Sequence, residues 1–255
     1  MTTVLSNEVC QAAPFKRKPF VRRVLDQILY VEPVRKLYLR CRFFWYARIL
    51  GRMRTYDTHS EAVAKETIQH NLRGIGDVAV VRSDAIVKPL SVIESLPLDA
   101  RILCIGPRAE GELYNLAAHG FLLANIEGLD LISYSPHIQL GDMHSMSYAD
   151  GSWDAIVAGW VLAYSDDKRQ AAAEMIRVCK AGGVIGVGVE FNPLSPGDIR
   201  QAIGYIPGSS EVVRSVESLL ALFAPHVDRV YFAHEPTEAR RDRKGSVVAV
   251  FSIKK

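Results

Sequence analysis

From residue 101 onward, short apolar runs alternate with stretches whose apolar residues recur every three or four positions. Runs bounded by turn residues read as buried strands, and the 3.6-residue recurrence reads as helices laid against them. Strands are predicted at residues 101–105 (RILCI), 126–132, weakly at 138–140, and at 153–158 and 184–191. One helix is predicted from about 111 to 119. Another runs over 168–180 with Ala172, Met175, Ile176 and Cys179 on one side, stopping at Gly182 and Gly183, where glycine accepts a left-handed backbone. Strands alternating with helices predict a parallel sheet covered on both faces. The runs 227–232 and 247–253 differ. They are joined by the charged stretch 235–244 without a helical pattern, which predicts an antiparallel pair at the sheet edge.

The N-terminal part has a different pattern. Residues 1–19 lack periodicity and contain Pro14, Pro19 and the run Lys16, Arg17, Lys18, so a poorly ordered leader is expected. Val21, Val24, Leu25, Ile28 and Leu29 form one face of a helix. Pro33 opens the next at its first turn, where the missing N–H is not needed. Its apolar stripe passes through Leu37, Cys41, Phe44 and Trp45 towards Ile49, with Arg35, Lys36, Arg40, Arg42, Arg48 and Arg52 around it. Thr58 and Glu61 have capping-box spacing for a helix ending near Leu72, ahead of Gly74 and Gly76. The chain thus divides near Pro97 into a helical arm or lid (1–96) and an α/β body (97–255).

Composition adds a contrast between these parts. A chain of 255 residues, 49% hydrophobic and 23% charged, is long enough for a large core, which excludes a disordered chain, a fibre or a disulfide-stapled miniprotein. Residues 1–54 hold 12 of the 31 Lys and Arg against three acids, a charge of +9. The remainder carries 19 basic and 25 acidic residues, or −6. No apolar run approaches the ~18 residues of a membrane span, and the start lacks a secretory signal's apolar centre. Cys10, Cys41, Cys104 and Cys179 form no C-x-x-C pair. Reduced thiols in a cytoplasmic, unexported protein are expected.

In an open parallel sheet, ligands sit beyond the carboxyl ends of the strands. The residues there are the turn Gly106-Pro107-Arg108-Ala109-Glu110-Gly111, then Asp130 and Leu131, then Gly141-Asp142-Met143-His144, then Gly159 and Trp160, and finally Glu190. A carboxylate at 130 can accept from both hydroxyls of a ribose. One at 142 can accept from an exocyclic amine while Met143 packs on a flat ring. His144 and Tyr164 are candidate catalytic groups, His144 as general base or ring neighbour and Tyr164 on the acceptor side. Asp57 and His59 read first as a polar turn, with a lid over the cleft as the alternative. Metal ligation is not expected, because no third ligand is spaced to join Asp142 and His144.

The stretches ILCIGPRAEGEL (102–113), IEGLDLISYSP (126–136), LGDMHSMSYADGSWDAIVAGWVLAYS (140–165) and AAAEMIRVCKAGGVIGVGVEF (171–191) resemble the class I S-adenosylmethionine-dependent methyltransferases, in the UbiE-like type 11 branch. The resemblance covers residues 97–191, and the middle stretch is its specific part. It implies a Rossmann-like three-layer α/β sandwich with a mostly parallel seven-stranded sheet and one antiparallel strand. It also implies S-adenosyl-L-methionine as cofactor. Gly106, Pro107, Arg108 and Glu110 would run past its methionine part, and Asp130 and Leu131 would hold the ribose. Gly141, Asp142, Met143 and His144 would surround the adenine, and Gly159 and Trp160 the sulfonium. The chain departs from the family twice. Cys104, Arg108 and Glu110 stand where the family has an acid and two glycines. Asp130 and Asp142 are too close for the usual intervening helix, so 133–137 should be a loop, leaving the adenine pocket open or covered by the N-terminal region.

Methyl transfer to an O or N nucleophile of a small-molecule or glycan acceptor is the leading expectation, with the N-terminal helices and residues 192–207 as covers. A nicotinamide oxidoreductase is a second reading, although G-x-G-x-x-G is absent. A degenerate fold kept as a binding module is the third, its basic arm (16–54) docking on a membrane surface or a nucleic acid. A membrane surface is preferred to nucleic acid as partner, and an oligomer is compatible with the sequence.

Overall fold

The computed structural model describes residues 31–56, 68, 69, 71, 72, 75, 83–195, 197, 198, 201 and 212–255. The leader, the helix at 21–29, the capping box at Thr58, the pair Asp57 and His59, and most of the cover at 192–207 lie outside them.

Helix α1 (Glu32–Phe43) starts at Pro33 as the sequence predicts and continues as a wider π-type turn over Phe44–Ile49. The two-residue strand β1 (Arg54–Thr55) and α2 (Asp84–Ser91) follow. The body then runs β2 (Ile102–Ile105), α3 (Gly111–Ala118), β3 (Ile126–Asp130), β4 (Ile132–Ser133), β5 (Ile138–Leu140), β6 (Trp153–Gly159), α4 (Lys168–Val178), β7 (Cys179–Phe191), α5 (Val216–Ala221), β8 (Val227–His234) and β9 (Gly245–Ile253). The seven-stranded sheet has the order β5-β3-β2-β6-β7-β9-β8. Only β9 opposes the others, pairing antiparallel with both β7 and β8.

Side chains alternate across this sheet, as strand geometry requires. Ile102, Cys104, Ala155 and Val157 face α2 and α3, whereas Leu103, Ile105, Ile156 and Ala158 face α4 and α5. The result is the expected three-layer sandwich.

Three local expectations are corrected, and one short helix is added. The predicted strand 126–132 breaks after Asp130, because β4 leaves the main sheet and pairs with β1, Arg54 opposite Ser133. Helix α4 ends at Val178 rather than 180. Cys179 is already extended and pairs with Trp153, and Gly182 and Gly183 fall inside β7. A Cβ at Gly183 would lie 2.9 Å from two backbone oxygens, so close approach, not a helix stop, requires the glycine. The short helix α5, held by a Ser215–Ser218 capping box, carried no clear apolar period. Finally, α2 lies before the expected boundary at Pro97, yet its Ile86, Val87 and Leu90 are fully buried in the core shared with β2, β6 and β9. Packing therefore assigns α2 to the body. The side chain of Asn115, buried on α3, donates to Ser83 and Asp84 at 2.8 Å each and ties the two helices together.

Candidate cofactor site

Strands β2, β3 and β5 end side by side, with Ile105 opposite Leu129 and Asp130 opposite Leu140. Just beyond these ends lies a cleft. Gly106, Asp130, Leu131, Gly141, Asp142, Met143 and His144 line it, as does Tyr164 from beyond β6. Residues 12 apart in the chain, Asp130 and Asp142, thus meet in one cavity through β5.

Gly106 has φ +68°, and a Cβ there would lie 2.3 Å from Val161 Cγ2. Glycine is therefore required on two counts. Two positions on, Arg108 takes φ +52°, a region costly for a bulky residue. Its backbone N–H then donates to Asp130 Oδ2 at 2.7 Å, while Oδ1 accepts the Ile132 N–H at 3.2 Å. Burial pushes the Asp130 carboxyl up to about 6, against the pull of these N–H groups. Each carboxylate oxygen still has acceptor capacity for a hydroxyl.

Asp142 has a different environment. Its Oδ1 accepts from the backbone N–H of His144 at 2.9 Å and lies 2.6 Å from His144 Nδ1. The hydrogen bond from His144 is the main reason its carboxyl titrates below the ordinary range. The far ring nitrogen, Nε2, is 2.7 Å from Ser165 Oγ and 3.3 Å from Asp166 Oδ1. Both imidazole nitrogens are occupied by protein partners, so His144 is built to position Asp142 rather than to present a free base to the cleft.

Five expected contacts fall outside the cleft lining. Pro107 packs over the backbone of Gly128. Gly159 is covered by Glu112, whose Oε2 would stand 2.6 Å from a Cβ at that position. Trp160, turned by φ +61°, is 8% exposed and belongs to the core cluster on the α2/α3 side. Glu110 is fully buried at the start of α3. There Arg42 Nε and Nη2 donate to its two oxygens at 2.6 and 2.7 Å, and Ser135 Oγ donates at 2.5 Å. The rings of Tyr38, Tyr46 and Tyr114 surround the guanidinium at 5.7, 5.0 and 5.5 Å. Arg108, also expected to reach ligand, contributes its backbone N–H to Asp130.

Sequence reasoning missed Asn71, Val161 and Asp166, which also line the cleft. The position of Asp166 shortly after β6 was the available signal for it. Asn71 carried none. Among the described residues no three His, Cys, Asp or Glu side chains are grouped to hold a metal ion, and no helix is long and apolar enough to cross a membrane.

A protein-family profile described as "Methyltransferase domain" matches residues 115–187. The fold agrees with solved structures. One is the "putative methyltransferase" in complex with the Haloferax volcanii Trm112 methyltransferase activator, at TM-score 0.54 and 16% identity over 76% of this chain and 98% of that one. Another is the "putative S-adenosyl-L-methionine-dependent methyltransferase" of Methanococcus maripaludis, at 0.50 and 15% over 78% and 97%. A third, MccD protein, gives 0.51 and 10% over 66% and 96%.

The α/β body has the fold of these methyltransferases, and part of it matches the methyltransferase domain profile.

No curated protein sequence matches the chain significantly. The matched segment of the methyltransferase domain begins after the turn at 106–111. That turn is where the chain departs from the family pattern, and the Arg42–Glu110 pair gives the departure a structural use.

Proposed function

We propose that this protein is an S-adenosylmethionine-dependent methyltransferase acting on an O or N nucleophile of a small-molecule or glycan acceptor. The observation that carries this reading is the meeting of Asp130 and Asp142 with Gly106 in one cleft at the ends of β3, β5 and β2. The donor set fits the cofactor. Asp130 has acceptor capacity left for the two ribose hydroxyls. At Asp142, Oδ1 is held by His144, which aims the other oxygen for an exocyclic amine. Met143 offers an apolar face beside it.

When bound, the cofactor supplies a methyl group on a cationic sulfonium. The leaving sulfur needs no proton, so the protein acts chiefly by aligning the acceptor and excluding water. Tyr164 and Asp166 face the cleft where a nucleophile would approach, and Asp166 is the group we assign to take a proton from an acceptor that must lose one. Asn71, contributed by the N-terminal region, supports that region as the cover.

A nicotinamide dinucleotide is disfavoured because its pyrophosphate would seek the start of α3, where the Arg42–Glu110 pair is already seated. Calorimetric titration with S-adenosylmethionine and S-adenosylhomocysteine tests the reading. Absence of binding to folded protein at millimolar ligand would overturn it, and catalytically silent binding would favour the binding-module alternative.

We further assign the arm a peripheral contact with an anionic membrane surface. While α1 buries Leu39 against Tyr114, it leaves Leu37 64%, Phe44 58%, Trp45 54% and Ile49 55% exposed. Lys36, Arg40, Arg48 and Arg52 accompany them, and basic flanks around an apolar face are what an anionic interface attracts.

A further inference from the structure

A further carboxylate lies near the cleft, within electrostatic reach of Asp130. Glu112 sits in the first turn of α3, and its carboxylate reaches down between the ends of two neighbouring strands. On the β2 side it meets the buried thiol of Cys104, which hydrogen-bonds to it. On the β6 side, Oε2 lies against Gly159, where a Cβ would stand only 2.6 Å away. Glycine at 159 leaves the space that the carboxylate fills. Oε1 is closed to solvent and has no hydrogen-bond partner among the described residues. The titratable groups felt by Glu112 are Cys104 on β2 and Asp130 on β3, and neither is a cation. Burial, with a further contribution from the charge of Asp130, pushes the carboxyl up to about 8, and the thiol pulls it partly back.

The strand order gives this acid a place along the ligand. Reading β5-β3-β2-β6 across the sheet, Asp142 follows β5, Asp130 ends β3, and Glu112 stands at the ends of β2 and β6. A ligand laid across those ends with its adenine at Asp142 and its ribose at Asp130 brings its amino-acid end to β2 and β6. We propose that Glu112 receives the α-ammonium group of the cofactor. The inference rests on the reading of the cleft as a site for S-adenosylmethionine. The ammonium provides Oε1 with the donor it lacks, and the two charges compensate each other inside the fold. Because the free carboxyl is largely protonated at pH 7, binding releases a proton.

The test titrates full-length wild type and Glu112→Gln with S-adenosylhomocysteine and with its analogue carrying hydrogen in place of the α-ammonium. Titrations at pH 7 in two buffers of different ionisation enthalpy count the protons. Wild type should prefer the ammonium-bearing ligand by tenfold or more and release up to one proton. E112Q should lose both the preference and the proton release while binding the analogue as wild type does. If E112Q does not fold, wild-type discrimination and proton release decide the question alone. Equal wild-type affinity for the two ligands, or a full preference retained in E112Q, overturns the proposal and leaves the cofactor reading standing. Failure of wild type to bind either ligand overturns both.

Discussion

Arg42 and Glu110, 68 residues apart, are joined by two hydrogen bonds of 2.6 and 2.7 Å that fasten the N-terminal helix to the turn after β2. A forked guanidinium matches a carboxylate in two places at once, which an ammonium does not. The pair stands where a family glycine is replaced, and it coincides with the short β3–β5 connection on which β1 and β4 pair. The arm thus occupies part of the space left by the shortened connection.

Removing Arg42 alone strands a buried carboxylate, so Arg42→Ala should destabilise the protein by about 3 kcal/mol. Arg42→Lys should recover only part of this. The double change Arg42→Ala with Glu110→Ala should be less damaging than Arg42→Ala itself. Urea denaturation followed by circular dichroism measures all three, and additive losses would show that the pair is not coupled.

Asp130 gives cofactor affinity a defined pH dependence. Ribose hydroxyls donate to the ionised carboxyl, so the Asp130 contribution to S-adenosylhomocysteine affinity should rise with pH through about 6, below the separate rise that Glu112 gives towards pH 8. Asp130→Ala should weaken binding by tenfold or more, roughly 1.4 kcal/mol, and remove the lower rise. The free protein behaves oppositely. The native carboxyl at about 6 holds its proton longer than the ordinary 3.8, so its contribution to stability is lost as pH climbs between those values. Calorimetry gives the affinities, and thermal melts of Asp130→Asn against wild type give the stability slope.

His144 should act through Asp142. Replacing it by Leu removes the bond that depresses the Asp142 carboxyl, which should then titrate closer to its ordinary value. Carbon-13 NMR of the carboxyl reads this directly. Cofactor affinity should fall by about tenfold as the loop at 141–144 loses its brace, equivalent to ~1.4 kcal/mol. An unmoved carboxyl resonance would refute the positioning role.

Trp45 is a built-in reporter for the membrane assignment. Of the three tryptophans, Trp153 and Trp160 are buried, at 2% and 8% exposure. Anionic vesicles should therefore shift the fluorescence of Trp45 to the blue, and ~0.5 M salt should reverse most of the shift by screening the basic flank. Leu37→Ser with Phe44→Ser should abolish it. Neutral phosphatidylcholine vesicles producing the same shift would argue against electrostatic docking.

Most of the α/β body is legible in the sequence. Runs such as RILCI and the period of α4 are local consequences of which side chains face water, and a period is visible without knowing the partner. Asp130 and Asp142 were equally legible, because a residue just past a strand has only one place to go in a parallel sheet. Where segments meet other segments, the tertiary structure decided. The eight residues of α2 include Pro89 and lie ahead of the apparent boundary at Pro97, so only burial of Ile86, Val87 and Leu90 reveals that they complete the core. By its place in the turn Glu110 reads as a ligand contact, yet the fold sets Arg42 beside it; His144 reads as a base, yet both its nitrogens meet protein partners. Glu112 carried no signal at all, since its meaning depends on the absent side chain of Gly159 and the thiol of Cys104. Periodicity records a residue's exposure to water, whereas an ion pair or an unpartnered oxygen depends on which distant atoms the fold brings within 3 Å of it.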